Sequence, residues 1–203
     1  MSLLRKYKTI ALVSTIMLFS FVFGVYSAFA YNIGHDGGFS PTPTVVRPLS
    51  TFAAETKTAL SNAASAWNGV GLGTLVTRGT DTSNTTYPND NDINEVTKGY
   101  RGTNTYLMQA TYVTQEYVWK DNNLYWCNTE VDIDVNISYP WSTTGTSTAY
   151  DLQSVFTHEL GHLLGLSHSN VSDATMWPTI SKGDTSWRTL ATDDINGITA
   201  IHW

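Results

Sequence analysis

Apolar residues along this chain change period several times, and each change predicts an element. In "STFAAETKTALSNAASAWNGVG", Phe52, Ala59, Ala63, Trp67 and Val70 recur at near-helical spacing. Ser50 or Thr51 can cap the start and Gly69 and Gly71 stop it, which predicts a helix over 51–68 with one face packed on a sheet. From Leu72 to Ser138 the composition turns to Thr, Tyr, Val and Trp, with period-two alternation in "TYLMQATYVT" and turn residues in "YPNDND" and "KDNN". That segment reads as about four strands joined by polar loops. Helical period returns in "TAYDLQSVFTHELGHLLG", where Leu152, Val155, Phe156, Leu160 and Leu163 form one apolar face and Thr148 and Asp151 a capping pair. A short third helix fits "TDDINGITAIHW", with Thr192 as cap and Asp193 and Asp194 at the positive end of its dipole. Ahead of all these, residues 31–48 are rich in Gly, Pro and Thr and read as an extended lead-in.

Residues 1–30 follow a different rule. Arg5, Lys6 and Lys8 precede the apolar run "IALVSTIMLFSFVFGVY", and "SAFA" then places small residues at Ala28 and Ala30. This is the pattern of an export signal cut after Ala30, leaving Tyr31 as the new amino terminus and 31–203 as one domain. An uncleaved membrane anchor is the alternative, since the run is nearly long enough to span a bilayer. The small-x-small ending favours cleavage and a secreted, extracellular protein with no stable membrane association.

Composition narrows what the domain can do. With 203 residues, 41% of them hydrophobic, the chain can bury one core of ordinary size. Residues 1–30 hold three of the eleven Lys and Arg and none of the seventeen Asp and Glu, so the formal charge of −6 becomes −9 for 31–203. Such a surface disfavours nucleic acid. Cys127 is the single cysteine, so no internal disulfide can staple the fold, and it reads as a buried apolar-like residue beside Trp126.

The densest chemistry lies in "HELGHLLGLSH", residues 158–168, which holds three of the five histidines. His158 and His162 are four apart, so on a helix they project from one face with Cβ atoms about 5–6 Å apart and can reach one zinc ion. Gly165 can take the left-handed conformation that ends a helix, which lets the chain turn and bring His168 back as a third ligand. Three protein ligands leave a coordination position open for water. Glu159 points to the side of the pair, placed to take a proton from that water rather than to bind the ion.

These residues match, at every fixed position, the HExxHxxGxxH signature of the metzincin zinc endopeptidases, which the chain therefore resembles. Met176, in "SDATMWPTI", is the candidate for that family's Met-turn, a hydrophobic floor under the metal. Within the clan the chain is most similar to the matrixins. Ser169 after the third ligand, "EVDIDVN" (130–136) and "LATDDINGITAIHW" (190–203) carry that likeness, which is continuous from about Asp151 to Trp203. The resemblance implies an α+β zincin catalytic domain: a twisted mixed β-sheet with a packed helix, an active-site helix and a C-terminal helix. It also implies a secreted, bacterial-type endopeptidase, monomeric, with protein or peptide substrates laid as an extended strand on a sheet edge.

Departures from the family pattern sharpen the reading. Pro178 stands two residues after Met176, where astacin-like and serralysin-like members carry a tyrosine ligand. The matrixin cysteine switch has no counterpart, because little chain separates Ala30 from the domain. Only about a dozen residues separate Asn136 from the active-site helix, so the long metal-carrying loop of animal matrixins is expected to be cut out. Those relatives hold a second, structural zinc largely on histidines, whereas only His35 and His202 remain here, both read as surface or terminal residues. One zinc per chain is the expectation. Calcium has candidate oxygen ligands in Glu130, Asp132 and Asp134 and in Asp90 and Asp92, with Asp132 the position favoured by the resemblance. Two other readings compete: a secreted zinc-fold binding or adhesion module, which the presence of Glu159 disfavours, and a zinc amide hydrolase acting on a non-protein substrate.

Overall fold

The computed structural model describes residues 31–33, 38–39 and 42–201. Residues 1–30, which carry the export-signal reading, and His35 and His202 lie outside the described residues. Among the described residues no helix is long and apolar enough to cross a membrane.

In chain order the elements are β1 (Asn32–Ile33), β2 (Thr44–Pro48), α1 (Ala54–Asn68), β3 (Val76–Arg78), β4 (Asn94–Gly99), β5 (Met108–Lys120) and β6 (Asn123–Asn136). The short β7 (Trp141–Ser142) and β8 (Tyr150–Asp151) follow, then α2 (Leu152–Leu163), β9 (Leu166–Ser167), a 3-10 turn at Ser186–Arg188 and α3 (Thr192–Ile201). Five strands form one sheet in the order β3-β2-β4-β6-β5. β2, β3, β4 and β6 run parallel, and β5 closes the edge antiparallel to β6. This is the mixed sheet and α+β class expected. The four strands expected between Leu72 and Ser138 are β3 to β6.

The lead-in contains more order than its Pro and Gly content predicts. β2 is an interior strand, with Thr44 opposite Val76 on one side and Val46 opposite Asn94 on the other. Helix α1 begins at Ala54 rather than Thr51, because residues 49–52 form a turn closed by the Phe52 amide on the Leu49 carbonyl at 3.0 Å. Neither Ser50 nor Thr51 caps it; Ala53 occupies the cap with no side-chain bond. Helix α3 also starts differently. Ala191 accepts the first intrahelical bond, from Ile195, and the Asp194 carboxylate reaches back to the Ala191 amide at 2.8 Å, so Asp194 rather than Thr192 caps it.

Packing follows from these registers. Ala59, Leu60, Ala63, Ala64 and Trp67 give α1 a buried face of mostly small residues, and Trp67 donates its indole N–H to the Thr157 carbonyl of α2 at 2.8 Å. The two helices lie against the sheet face formed by Val131, Ile133 and Val135 of β6. On the opposite face of β6, Glu130, Asp132 and Asp134 are fully buried. Buried carboxylates require donors. Asp132 accepts the amides of Asn89 and Glu95 (2.8 and 2.9 Å), Glu130 those of Asn91 and Asp92 (3.0 and 3.1 Å), and Asp134 the guanidinium of Arg101. The acidic row thus clamps the 89–95 loop and the chain after β4 onto the sheet.

Gly161 sits in the middle of α2, where helix propensity disfavours glycine by about 1 kcal/mol relative to alanine. Tertiary contact explains it. A Cβ at this position would lie 2.3 Å from the Met176 sulfur and 2.8 Å from the Trp67 ring. Gly161→Ala is therefore expected to destabilise the chain by about 1–3 kcal/mol, a drop in Tm of roughly 2–10 °C. A thermal melt showing an equal or higher Tm would mean that Met176 moves aside without cost.

Candidate metal centre and cleft

Helix α2 carries the first two histidines because its start is fixed by charge and its end by backbone geometry. Asp151 is the N-cap and accepts the Ser154 amide at 2.9 Å. Thr148 takes no part in the cap. Arg188 donates to both oxygens of the same fully buried carboxylate, with Nε at 3.0 Å, and to the Thr143 carbonyl at 2.7 Å. Burial alone would raise the Asp151 carboxyl; the bonds from Arg188 and Ser154 outweigh it and hold it below the usual carboxylate range. At the other end Gly165 has φ +106°, and the chain reverses into β9 and returns His168 to the helix.

The three imidazoles converge. Ring centroids of His158 and His162 lie 4.8 Å apart, those of His158 and His168 5.2 Å, and those of His162 and His168 4.8 Å. Each residue can offer one nitrogen, all within 4.8 Å of one another, and among the described residues this is the one such group of three or more His, Cys, Asp or Glu side chains. Nδ1 of His158 meets the Thr175 carbonyl and Nδ1 of His162 the Leu166 carbonyl, both at 2.7 Å. A carbonyl only accepts, so both Nδ1 atoms carry the proton and the Nε2 lone pairs are left for a metal. Burial lowers the pKa of His158 well below its ordinary value, helped by its His162 neighbour, and that of His162 to about 4, and it lowers His168 too. All three rings are neutral near pH 7. Neutral imidazoles in this number and spacing fit zinc.

Glu159 is not part of this convergence, though it lines the same cleft as His158 and His168. Its carboxylate accepts the backbone amide of Ala110, on the edge strand β5, at 2.8 Å. Burial pushes the Glu159 carboxyl up to about 7, and the Ala110 amide only partly offsets this. The acid thus stands between the triad and the strand that borders the cleft.

Met176 is buried against Gly161, in a turn held by one carboxylate. Asp194 accepts the amides of Thr175 at 2.8 Å and Met176 at 3.0 Å, along with that of Ala191. Burial raises the Asp194 carboxyl in spite of these three donors. Ser169 is tied into the same region: its amide donates to the Met176 carbonyl and its hydroxyl to Asp193, each at 2.7 Å. The candidate calcium residue Asp132 is not brought to the triad. Its two oxygens receive the amides already described, and burial lifts its carboxyl to about 6.

Trp187 is a site residue that the sequence pattern does not single out. Its ring stacks on His158 at 4.8 Å with 17° between planes, held there by the Arg188–Asp151 pair next door. Beside the triad opens a cleft of about 340 Å³, bordered by Tyr106 just ahead of β5, Met108 at its start, Val155 of α2, Thr179 and Ile180 after the Met176 turn, and Trp187.

Comparison with known proteins agrees with this geometry. A stretch of 56 residues is 55% identical to Metalloendoproteinase 5-MMP of Arabidopsis thaliana, covering 28% of this chain and 15% of that protein. Neutrophil collagenase of Homo sapiens is 48% identical over 59 residues (29% and 13% of the two chains), and matrilysin of Homo sapiens 42% over 60 (30% and 22%). The matched stretch therefore spans less than a quarter of each relative. A family model described as Matrixin (peptidase M10) covers residues 83–203, from the loop before β4 through the triad and the Met176 turn to the C-terminus, and the chain belongs to that family.

Proposed function

We propose that this protein is a zinc-dependent endopeptidase that cuts extended polypeptide chains. The observation that carries the proposal is the pairing of three converging imidazoles, two of them (His158 and His162) fixed in tautomer by backbone carbonyls, with one buried carboxyl that is not among them. When bound at His158, His162 and His168, zinc supplies Lewis acidity, which acidifies water and polarises a carbonyl. Glu159 then does the proton work. Its carboxylate accepts a proton from the attacking water and delivers it to the departing amine, and the Ala110 amide keeps it oriented between the two tasks. β5 has a strand neighbour on one side only among the described residues, and a peptide added to its outer edge crosses the cleft beside Glu159.

The family relation and the export pattern of residues 1–30 support a secreted enzyme, monomeric, whose partners are protein or peptide substrates. Incubating the secreted protein with a proteome-derived peptide library tests both parts. Internal cuts abolished by a strong chelator and restored by zinc are expected, from a protein whose terminal sequence begins at Tyr31. A library left intact would reject the peptidase reading, and retention of residues 1–30 would place the enzyme on a membrane.

A further inference from the structure

The β5–β6 ribbon runs well past the sheet. β4 pairs with β6 only from Ile133 to Asn136, and Phe39 bridges to it at Asn128, yet β5 and β6 continue paired out to Lys120 and Asn123. Asp121 and Asn122, with φ of 47° and 63°, close the hairpin in the two-residue turn that matches strand twist. Register shifts between Tyr112 and Gln115 mark where the ribbon leaves the sheet.

Its outer part is apolar on one face. Tyr117 lies opposite Trp126 and Trp119 opposite Leu124, and alternation puts all four on the face of Asn128, whose amide bonds the Leu163 carbonyl of α2 at 3.3 Å. The apolar face is therefore on the active-site side of the sheet. Tyr117 is 66% exposed, Trp119 72% and Leu124 44%, with the Tyr117 and Trp126 rings 4.6 Å apart. Two large aromatics this exposed on an edge strand are a liability in water without a partner.

We propose that this hairpin face is an exosite for the N-terminal flank of the polypeptide substrate, engaging apolar or aromatic side chains several residues before the scissile bond. The inference rests on the endopeptidase reading for the identity of its occupant. The direction follows from continuity. Met108, at the start of β5, borders the cleft, Ala110 holds Glu159, and the same strand leads on to Trp119, roughly 30 Å further at 3.3 Å per residue. A chain pairing antiparallel with β5, the commoner and more stable arrangement, runs its N-terminal side toward the hairpin. Stacking on Tyr117 and Trp119 then adds affinity without touching the bond that breaks.

The test compares an octapeptide substrate found in the library with versions lengthened by ten residues, carrying alternate aromatics, at either end. N-terminal lengthening is expected to raise kcat/KM about tenfold through KM, as two aromatic anchors allow. Tyr117→Ser with Trp119→Ser should erase that gain while the octapeptide, too short to reach the hairpin, is still cut; C-terminal lengthening should give no gain that depends on these residues. A missing gain, or one that survives the double substitution, overturns the proposal. Fluorescence anisotropy of the labelled ten-residue flank alone reads the face without turnover: binding by the unmodified chain and loss in the double variant are expected, and absence of binding overturns the exosite. Binding without any cleavage would reject the peptidase reading alone. Sedimentation showing a dimer that the double substitution dissolves would assign the face to a second copy and overturn the proposal.

Discussion

Replacing Glu159 with alanine is expected to leave zinc content unchanged and to lower kcat/KM for peptide cleavage by at least about two orders of magnitude, the usual contribution of a positioned general base. The separation of effects follows from geometry. The ring nitrogens that converge belong to His158, His162 and His168, whereas the Glu159 carboxylate is turned to the Ala110 amide. A variant lacking it keeps every ligand. The pH profile gives an independent sign. Burial pushes this carboxyl up to about 7, and only its ionised form accepts a proton, so activity should fall as pH drops through its pKa. A dication at the triad attracts the ionised form and moves that limb to lower pH. Residual activity of Glu159→Ala should lack the limb. Near-native turnover in this variant, with zinc retained, would sink the assignment.

Removal of the metal should have the other large effect, and the stoichiometry should be one zinc per chain. Among the described residues the triad is the one convergent group of three or more potential ligand side chains. Of the remaining histidines, His35 and His202 lie near opposite ends of the chain, outside the described residues, and Cys127 is buried in β6. A second closed site would have to gather all three with a carboxylate. Elemental analysis after exhaustive dialysis should find one zinc, removed by a strong chelator together with activity. His168→Ala should weaken retention at least about a hundredfold, since two imidazoles do not complete a catalytic set. Two zinc ions per chain, the second surviving His168→Ala, would show that a site has been missed.

Asp132 illustrates how a plain compositional pattern divides between metal binding and folding. Its spacing with Glu130 and Asp134 offers oxygen ligands, but in the folded chain Asp132 and Glu130 receive the amides of Asn89, Glu95, Asn91 and Asp92, and Asp134 receives Arg101. Backbone N–H groups satisfy the same lone pairs that a cation would use. The acidic row on β6 holds a loop in place whatever else it binds.

What the sequence determined by itself is what short-range geometry determines. His158 and His162 share a face because a helix repeats every 3.6 residues, Asp151 caps because a carboxylate three residues ahead of an amide can reach it, and Gly165 turns the chain because it lacks a Cβ. The hairpin at Asp121–Asn122 was legible for the same reason. Tertiary structure alone decided the pairings between distant segments. Proline and glycine around β2 gave no sign that it would be flanked by β3 and β4, because strand partners are chosen by burial across the whole sheet. Neither period nor spacing links Ala110 to Glu159, Thr175 to His158, Trp187 to His158 or Arg188 to Asp151. Those contacts set the tautomers, orient the carboxyl and wall the cleft, and they exist only once the sheet edge and the chain after His168 have packed against α2.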